Sequence, residues 1–399
     1  MKKILAMALC LVMCALALVG CANDEIGSYL PNYDGLVNNN EKEAMELDFY
    51  IVVGEGTDSN AIVTVERMIN SYLETLLNTT LDIHYVTEQE YNTVVLADSK
   101  KTGDDRADIV LINSVDLFND MMDEHLLANL TDFYKLEKFG ILNRRINEDL
   151  LKASKVVSQR IDLSNNPYNV SYYYSVPNNR VLGQYEYVVI KNDAAEYLLY
   201  SASKLSAMNT YESTQTLRDE LVQAGYDADE CVKLVSGKYE DKALYESQGY
   251  TCNIAKYPTI DVNEAFYSAF SIVADETDKS YLDVKDKPAS STEKPKTPEY
   301  YARYERCMEV IYALNTDATF RNLLQYGVKN TNYQVKDDGT LVRAGLGENA
   351  YYMNILYTGD VFLADYCEEI GWTAAAAANG NKQNAQTVLY TPADDDSQG

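Results

Sequence analysis

Tryptophan occurs once in these 399 residues, as Trp372, and histidine twice, as His84 and His125. Two histidines so far apart offer little for a zinc centre, and neither Gly-x-Ser-x-Gly nor His-Glu-x-x-His is present. No metal, cofactor or catalytic residue is expected on these grounds. Positive charge is also short: 34 Lys and Arg face 61 Asp and Glu, a formal charge of −27. A field of that sign repels nucleic acid and anionic lipid, so neither is expected as a partner. After the first 20 residues no apolar run approaches the roughly 20 needed to cross a bilayer. Disorder throughout is excluded by the 46% hydrophobic content, which at this length can bury a large core in two lobes.

Tyrosine is abundant, at 34. Each ring pairs an apolar face with a hydroxyl that donates and accepts, which suits a wet cleft around a polar ligand. Most are expected in packing or on the surface. Of seven cysteines, Cys10 and Cys14 lie in the opening segment and Cys21 at its end. The remaining four, Cys231, Cys252, Cys307 and Cys367, allow three pairings. Cys231 with Cys252 closes the smaller loop and is the candidate disulfide in an oxidising compartment.

The opening reads as an export signal. Lys2 and Lys3 precede an uncharged apolar segment, Ile4 to Val19, that closes on small residues. Its end, Leu18-Val19-Gly20-Cys21, resembles a bacterial lipobox, which implies cleavage before Cys21 and lipidation of its thiol. Each buried acyl CH₂ contributes about 0.8 kcal/mol, so several chains on one cysteine hold a soluble domain at a membrane that no helix crosses. A plain secretory signal with an incidental cysteine is the alternative.

Residues 1–20 are thus the signal peptide and 21–45 a spacer without periodicity. From Glu46 the order is strand "ELDFYIVVG", a helix over 61–77 capped by Asp58, Ser59 or Asn60, strand "TTLDIHYVT", a helix over 88–100, and strand "ADIVLIN". Alternation of this kind predicts an α/β lobe with a parallel sheet. At "VPNNRVLGQYEYVVIKND" the chain changes lobes. Helices follow near 211–224 and 238–247, then a return strand in "EAFYSAFSIVAD", a solvated loop over 286–298, and helices near 299–314 and 317–326. The expected division is lobe 1 over 46–176 and 263–325, lobe 2 over 177–262 and 326–372, and a low-complexity tail over 373–399.

Several segments together resemble extracellular solute-binding lipoproteins of ABC importers, carbohydrate-type family 1. "RADIVLINSVDLFNDMMDEHLLANLTDFY" is similar to their early region, where a strand delivers a Ser or Asp to the cleft. "VPNNRVLGQYEYVVIKND" is similar to their first crossover, and "DATFRNLLQYGVKNTNYQVKDDGTLVR" to the stretch after a late helix. The resemblance covers residues 46–370 patchily and lies in the order of the segments. It implies a two-lobe, type II periplasmic-binding-protein-like fold, each lobe a mainly parallel sheet flanked by helices. It further implies a monomer on the outer face of the bacterial cell membrane, held by its lipid, that captures a sugar or oligosaccharide and delivers it to ABC permease subunits. Two departures concern the ligand: sugar-binding members often offer Trp platforms, and the segment 190–262 is short.

A two-lobe receptor places its ligand at the carboxyl ends of its strands. Candidates there are Glu55 and Asp58 in "GEGTDSN", and Ser114 and Asp116 after "ADIVLIN". "KLVSGKYED" resembles the family's ligand-facing turn and adds Gly237 and Tyr239; Asn178, Asn179 and Arg180 are hinge or crevice residues. Each has a structural role as well: Asp58 as a helix cap, Asp116 as a first-turn carboxylate, Tyr239 as packing. Gly54 and Gly56 begin a dinucleotide fingerprint that fails at Ser59, and "SGKYED" lacks the upstream Gly and the Ser/Thr of a P-loop. A surface glycosidase working through two carboxylates, and an adhesion or scaffold lipoprotein, are the competing functions.

Overall fold

A computed structural model describes residues 42–161, 167–198, 211–275, 298–343, 345 and 347–390. The signal segment 1–20, Cys21, the spacer as far as residue 41 and the loop from 286 to 297 lie outside these residues.

Strand β1, Met45–Val53, obeys the alternation of its sequence: Leu47, Phe49 and Ile51 enter the core, while Asp48 and Tyr50 take the other face. Helix α1, Ser59–Leu77, starts where the Asp58 carboxylate accepts from the amide of Asn60 at 2.8 Å. It stops at Asn78, whose left-handed φ of 52° turns its amide back onto Glu74 and Leu73. The buried stripe runs through Ala61, Val65, Ile69, Tyr72, Leu73 and Leu77. Ile62 and Leu76 are half-buried on its flank. Then come β2, Thr79–Thr87, α2, Tyr91–Asp98, β3, Ile109–Ile112, and α3, Val115–Asp123. The α2 helix is shorter than the expected 88–100 span.

Helix α4, Glu148–Ala153, leads into an antiparallel hairpin of β4, Lys155–Ile161, and β5, Pro167–Tyr173, that the sequence reading does not anticipate. After β6, Val176–Pro177, come β7, Tyr185–Lys191, α5, Tyr211–Gln223, β8, Val232–Gly237, α6, Asp241–Ser247, and β9, Tyr250–Lys256. The return runs through β10, Thr259–Ile260, and β11, Ala269–Ile272, to α7, Pro298–Thr316, and α8, Ala318–Tyr326. The chain continues through β12, Tyr333–Val335, β13, Leu341–Arg343, α9, Ala374–Asn384, and β14, Val388–Leu389.

The first sheet has the order β2-β1-β3-β11-β6. β1 pairs in parallel with β2 and β3, as the strand and helix alternation predicts; β11 joins antiparallel to β3. Its core continues into α7, where Cys307, Met308 and Ile311 are buried, and Tyr72 of α1 donates to Asp317 at the start of α8.

The second sheet, β8-β7-β9, differs from expectation: both outer strands run antiparallel to β7. The crossover through α6 does make β8 and β9 parallel to each other, as alternation requires, but β7 lies between them and takes the hydrogen bonds of both. Its faces carry separate cores. Val188, Ile190, Leu217, Leu221 and Cys231 pack on one; Tyr185, Tyr187, Val189 and Cys252 pack on the other. The expected Cys231 to Cys252 disulfide is therefore overturned: both thiols are free and buried, with the sheet between them.

Residues beyond Trp372 hold more order than their composition promises. In α9, Gln383 is buried and donates to the carbonyls of Leu182 and Gly183 at 2.9 and 2.8 Å. β14 pairs in parallel with β10. Trp372 is buried, its indole N–H donating to Ala364, so its ring forms no open platform.

Candidate functional site

Five segments of the first sheet meet at one edge. β1, β2 and β3 finish there, at Gly54, Glu88 and Asn113; β11 runs the other way and begins there after Ser268. β6 leaves from the same edge through Asn178 toward the second lobe. This is the carboxyl edge at which an open α/β sheet offers loops and helix starts to a ligand.

The loop from 54 to 58 is clamped in place. The Gly54 amide donates to the Tyr352 carbonyl at 2.9 Å, the Asp58 amide donates to Ala350 at 2.9 Å, and Thr57 Oγ1 accepts from the Tyr352 amide at 2.9 Å. Gly54 has to be glycine: a Cβ would stand 2.5 Å from the Tyr352 carbonyl oxygen. Beside the loop, Asn113 Nδ2 donates to Glu88 Oε1 at 3.3 Å, and the Tyr357 hydroxyl bonds the same side chain. Burial and the Glu88 charge push the Tyr357 hydroxyl up to about 12, so it stays a donor. Asn113 Oδ1 is buried and has no partner, an acceptor in place for a hydroxyl or amide. Tyr267 and Leu356 stand on the same edge, 46% and 38% exposed.

The crossover is a tightly bonded strap. The Asn178 amide donates to Ser268 at 2.9 Å, and its side chain donates to Ser268 Oγ at 3.0 Å. Asn179 Nδ2 donates to Asp360 Oδ1 at 3.3 Å. Arg180 Nη2 donates to both the carbonyl and the carboxylate of Glu264 at 2.7 Å, while its Nη1 is buried without a partner. Burial holds the Arg180 guanidinium below its usual range, and Glu264 works against that. Burial likewise pushes Asp360 up to about 6, against hydrogen bonds and the Arg145 and Arg321 charges that favour its ionised form.

On the second lobe, β7 begins at Tyr185, with Gly237 of β8 directly opposite and the end of β9 beside it. Tyr185, Tyr239 and Tyr257 meet at this hinge-side end, with the Tyr239 and Tyr257 rings centred 6.2 and 6.3 Å from that of Tyr185. Tyr257 is 53% exposed. From α9, Lys382 Nζ lies 5.0 Å above the Tyr239 ring, and Gln383 accepts from the Tyr239 amide at 3.0 Å.

The predicted residues divide accordingly. Glu55, Asp58, Ser114 and Asp116 all stand on the carboxyl edge, but Asp58 and Ser114 have their side chains on helix amides as N-caps. Asp116 is an exposed first-turn carboxylate and Glu55 an exposed loop carboxylate. Asn179 and Arg180 are buried in the crossover and bonded to Asp360 and Glu264. Gly237 closes β8 under Asp241, whose carboxylate accepts from the Lys238 amide at 2.7 Å. Tyr239 is half-buried at the hinge-side end. Sequence reasoning missed Glu88, Asn113, Tyr257, Tyr267, Tyr357 and Lys382. Two of them were in reach, since Glu88 and Asn113 close strands the sequence does identify.

No family model matches the sequence, and no curated protein matches it. Among solved structures, the chain is similar to the N-glycan transport solute binding protein NgtS of Streptococcus pneumoniae. The TM-score is 0.52 at 12% identity, over 89% of this chain and 87% of that one. The fold is that of a solute-binding protein. A family 1 extracellular solute-binding protein from Alicyclobacillus acidocaldarius aligns over 90% of this chain and 91% of its own, with a TM-score of 0.40 at 11% identity. At 12% identity the likeness to NgtS concerns architecture alone, and the expected solute-binding fold holds with the second sheet corrected as above.

Proposed function

We propose that this protein is a solute receptor that captures a small carbohydrate between its lobes and hands it to an ABC permease. The observation that carries the reading is the placement of polar and aromatic groups at the two strand edges that a single crossover joins. Glu88, Asn113, Tyr267 and Tyr357 lie on the carboxyl edge of the first sheet, and Tyr239 and Tyr257 at the hinge-side end of the second. Tyrosine rings stack on the apolar faces of a sugar, and carboxylate and amide groups bond its hydroxyls. NgtS, whose architecture this chain shares, is an N-glycan transport solute binding protein, which supports a carbohydrate as cargo.

Binding closes the lobes about residues 178–183. Closure requires that the sugar bind the closed state more strongly than the open one. The permease then reads the closed form. Cys21, read from its lipobox, carries the lipid that keeps the receptor on the outer face of the bacterial cell membrane and raises its effective concentration at the permease.

A thermal-shift panel of mono- and oligosaccharides, polyols and peptides tests the capture step, followed by small-angle scattering with each hit. The expected result is a rise in melting temperature with one narrow group of sugars and a smaller radius of gyration with the same group. Turnover of a chromogenic glycoside, or a hit that leaves the scattering unchanged, counts against a receptor. For the anchor, Cys21→Ala is expected to move the protein from the membrane fraction to the medium.

A further inference from the structure

The opposite half of the first sheet holds a polar cluster that the crevice does not use. The parallel register sets Asp48 beside Asp82 and Tyr50 beside His84, so all four side chains leave the same face of β1 and β2. A cavity of about 730 Å³ opens over them. Two carboxylates on adjacent strands repel each other, and a sheet gains nothing from like charges side by side. Two of the other carboxylates nearby are already matched. Asp98 is bonded by Tyr50 at 2.8 Å and by Lys101 at 2.6 Å, and Asp108 by the fork of Arg303. Asp48 and Asp82 share a single imidazole.

That imidazole is held in place by stacking. The His84 ring lies parallel to the Tyr50 ring, 5° between planes and 4.1 Å between centroids, which fixes the direction of its Nε2. Nε2 is 2.8 Å from Asp48 Oδ1 and 3.8 Å from Asp82 Oδ2, and all three ligand atoms lie within 4.8 Å of one another. Tetrahedral zinc with bonds of about 2.0–2.2 Å spaces its ligand atoms about 3.4 Å apart, between those two separations. Asp82 is 57% exposed and free to swing the remaining distance, while Asp48 and His84 sit deeper, at 19% and 33%.

We propose that Asp48, Asp82 and His84 form a binding site for a divalent transition metal ion, with Zn²⁺ the best match, that staples β1 to β2. Two carboxylate oxygens and one imidazole nitrogen suit zinc better than calcium or magnesium, which take oxygen alone. Three protein ligands leave a coordination position open toward the cavity for water. The ion offsets the charge of both aspartates and joins the two strands whose far ends present Gly54 and Glu88 to the crevice. The site stands apart from the sugar-binding reading, and its test does not involve sugar.

Metal-stripped protein is titrated with ZnCl₂ by calorimetry, and with Co²⁺ while its visible absorption is followed. One ion per chain is expected, with a dissociation constant in the micromolar range or below. Affinity should fall at least tenfold in His84→Gln and in Asp82→Asn, with the Co²⁺ absorption lost. His125→Asn, which alters the other histidine, should bind as the wild type. The exposed Asp82→Asn variant keeps the test valid even where His84→Gln unfolds. Zinc binding undiminished in Asp82→Asn, binding weaker than millimolar in the wild type, or Ca²⁺ bound as tightly as Zn²⁺ overturns the proposal.

Discussion

The amide of Gly54 meets the carbonyl of Tyr352 at 2.9 Å, joining the first crevice loop to a segment almost 300 residues later. The approach leaves no room for a side chain, because a Cβ on Gly54 would lie 2.5 Å from that oxygen and 2.9 Å from its carbon. Both neighbours are backbone and have no rotamer by which to withdraw. Gly54→Ala is expected to cost about 1–3 kcal/mol of stability, the range of overpacking changes. Chemical denaturation should show that loss. Affinity for the sugar found in the panel should drop as well, since the loop carrying Glu55 is displaced.

Asp360, bonded to the crossover through Asn179, is expected to make stability depend on pH. Its carboxylate accepts from the Phe362 amide at 2.9 Å and from Asn179, and Arg145 Nη1 lies 3.7 Å away, yet burial keeps it up at about 6 against an ordinary 3.8. Between those values the folded chain holds a proton that the unfolded chain has released. The contribution of this group to stability is therefore greatest near pH 4 and falls as pH rises to about 6. The loss is on the order of 3 kcal/mol. Asp360→Asn keeps the accepting oxygen and removes the charge. It should match the wild type below about pH 3.8 and exceed it by about 1–3 kcal/mol at pH 7.5, measured by denaturation at both values.

The first lobe was legible from sequence because its periods are local. Alternation in "ELDFYIVV", helical spacing from Ala61 to Leu77, and the apolar run "IVLI" each report their own element, and their order implies a parallel sheet. The second lobe was less legible because its strand order depends on a long-range choice: β7 inserts between β8 and β9, and nothing within "YEYVVIK" encodes that position. Cys231 and Cys252 illustrate the consequence, since proximity in the chain says nothing of which face each occupies. Of the residues just past a strand, all stand at the carboxyl edge, but the side chains of Asp58 and Ser114 are committed as helix caps. Tyr257, Tyr267 and Tyr357 come from turns whose place on the edge is set by tertiary packing, and one tyrosine among 34 carries no mark of its role.

Tyr257 and Tyr267 discriminate a binding role from a packing role because both are about half exposed. Replacement by Ala removes little buried surface, so the melting temperature should stay within about 2 °C of the wild type. Loss of a ring stacked on sugar is worth about 1–1.5 kcal/mol, roughly tenfold in affinity. Calorimetry on Tyr257→Ala and Tyr267→Ala should show that drop in each. Unchanged affinity in both variants would remove the tyrosines, and with them the case for this crevice.

Cys231, Cys252, Cys307 and Cys367 are expected to be thiols that react only after unfolding. All are buried, and Cys307 and Cys367 have no exposed surface. Burial pushes Cys252 up to about 11 and Cys307 far above the ordinary thiol range, so almost no thiolate of these two is present at pH 8 to attack a reagent. Titration with an aromatic disulfide reagent of protein lacking residues 1–21 should count less than one thiol in the native state within minutes. In guanidinium, without reductant, the count should reach four. A count of two would mean that a pair had oxidised. For Cys231 and Cys252 that requires the second sheet to open first, because their side chains pack on its opposite faces. Oxidised protein of that kind should therefore have lost the packing around Tyr185 and Tyr187, which near-ultraviolet circular dichroism reads directly.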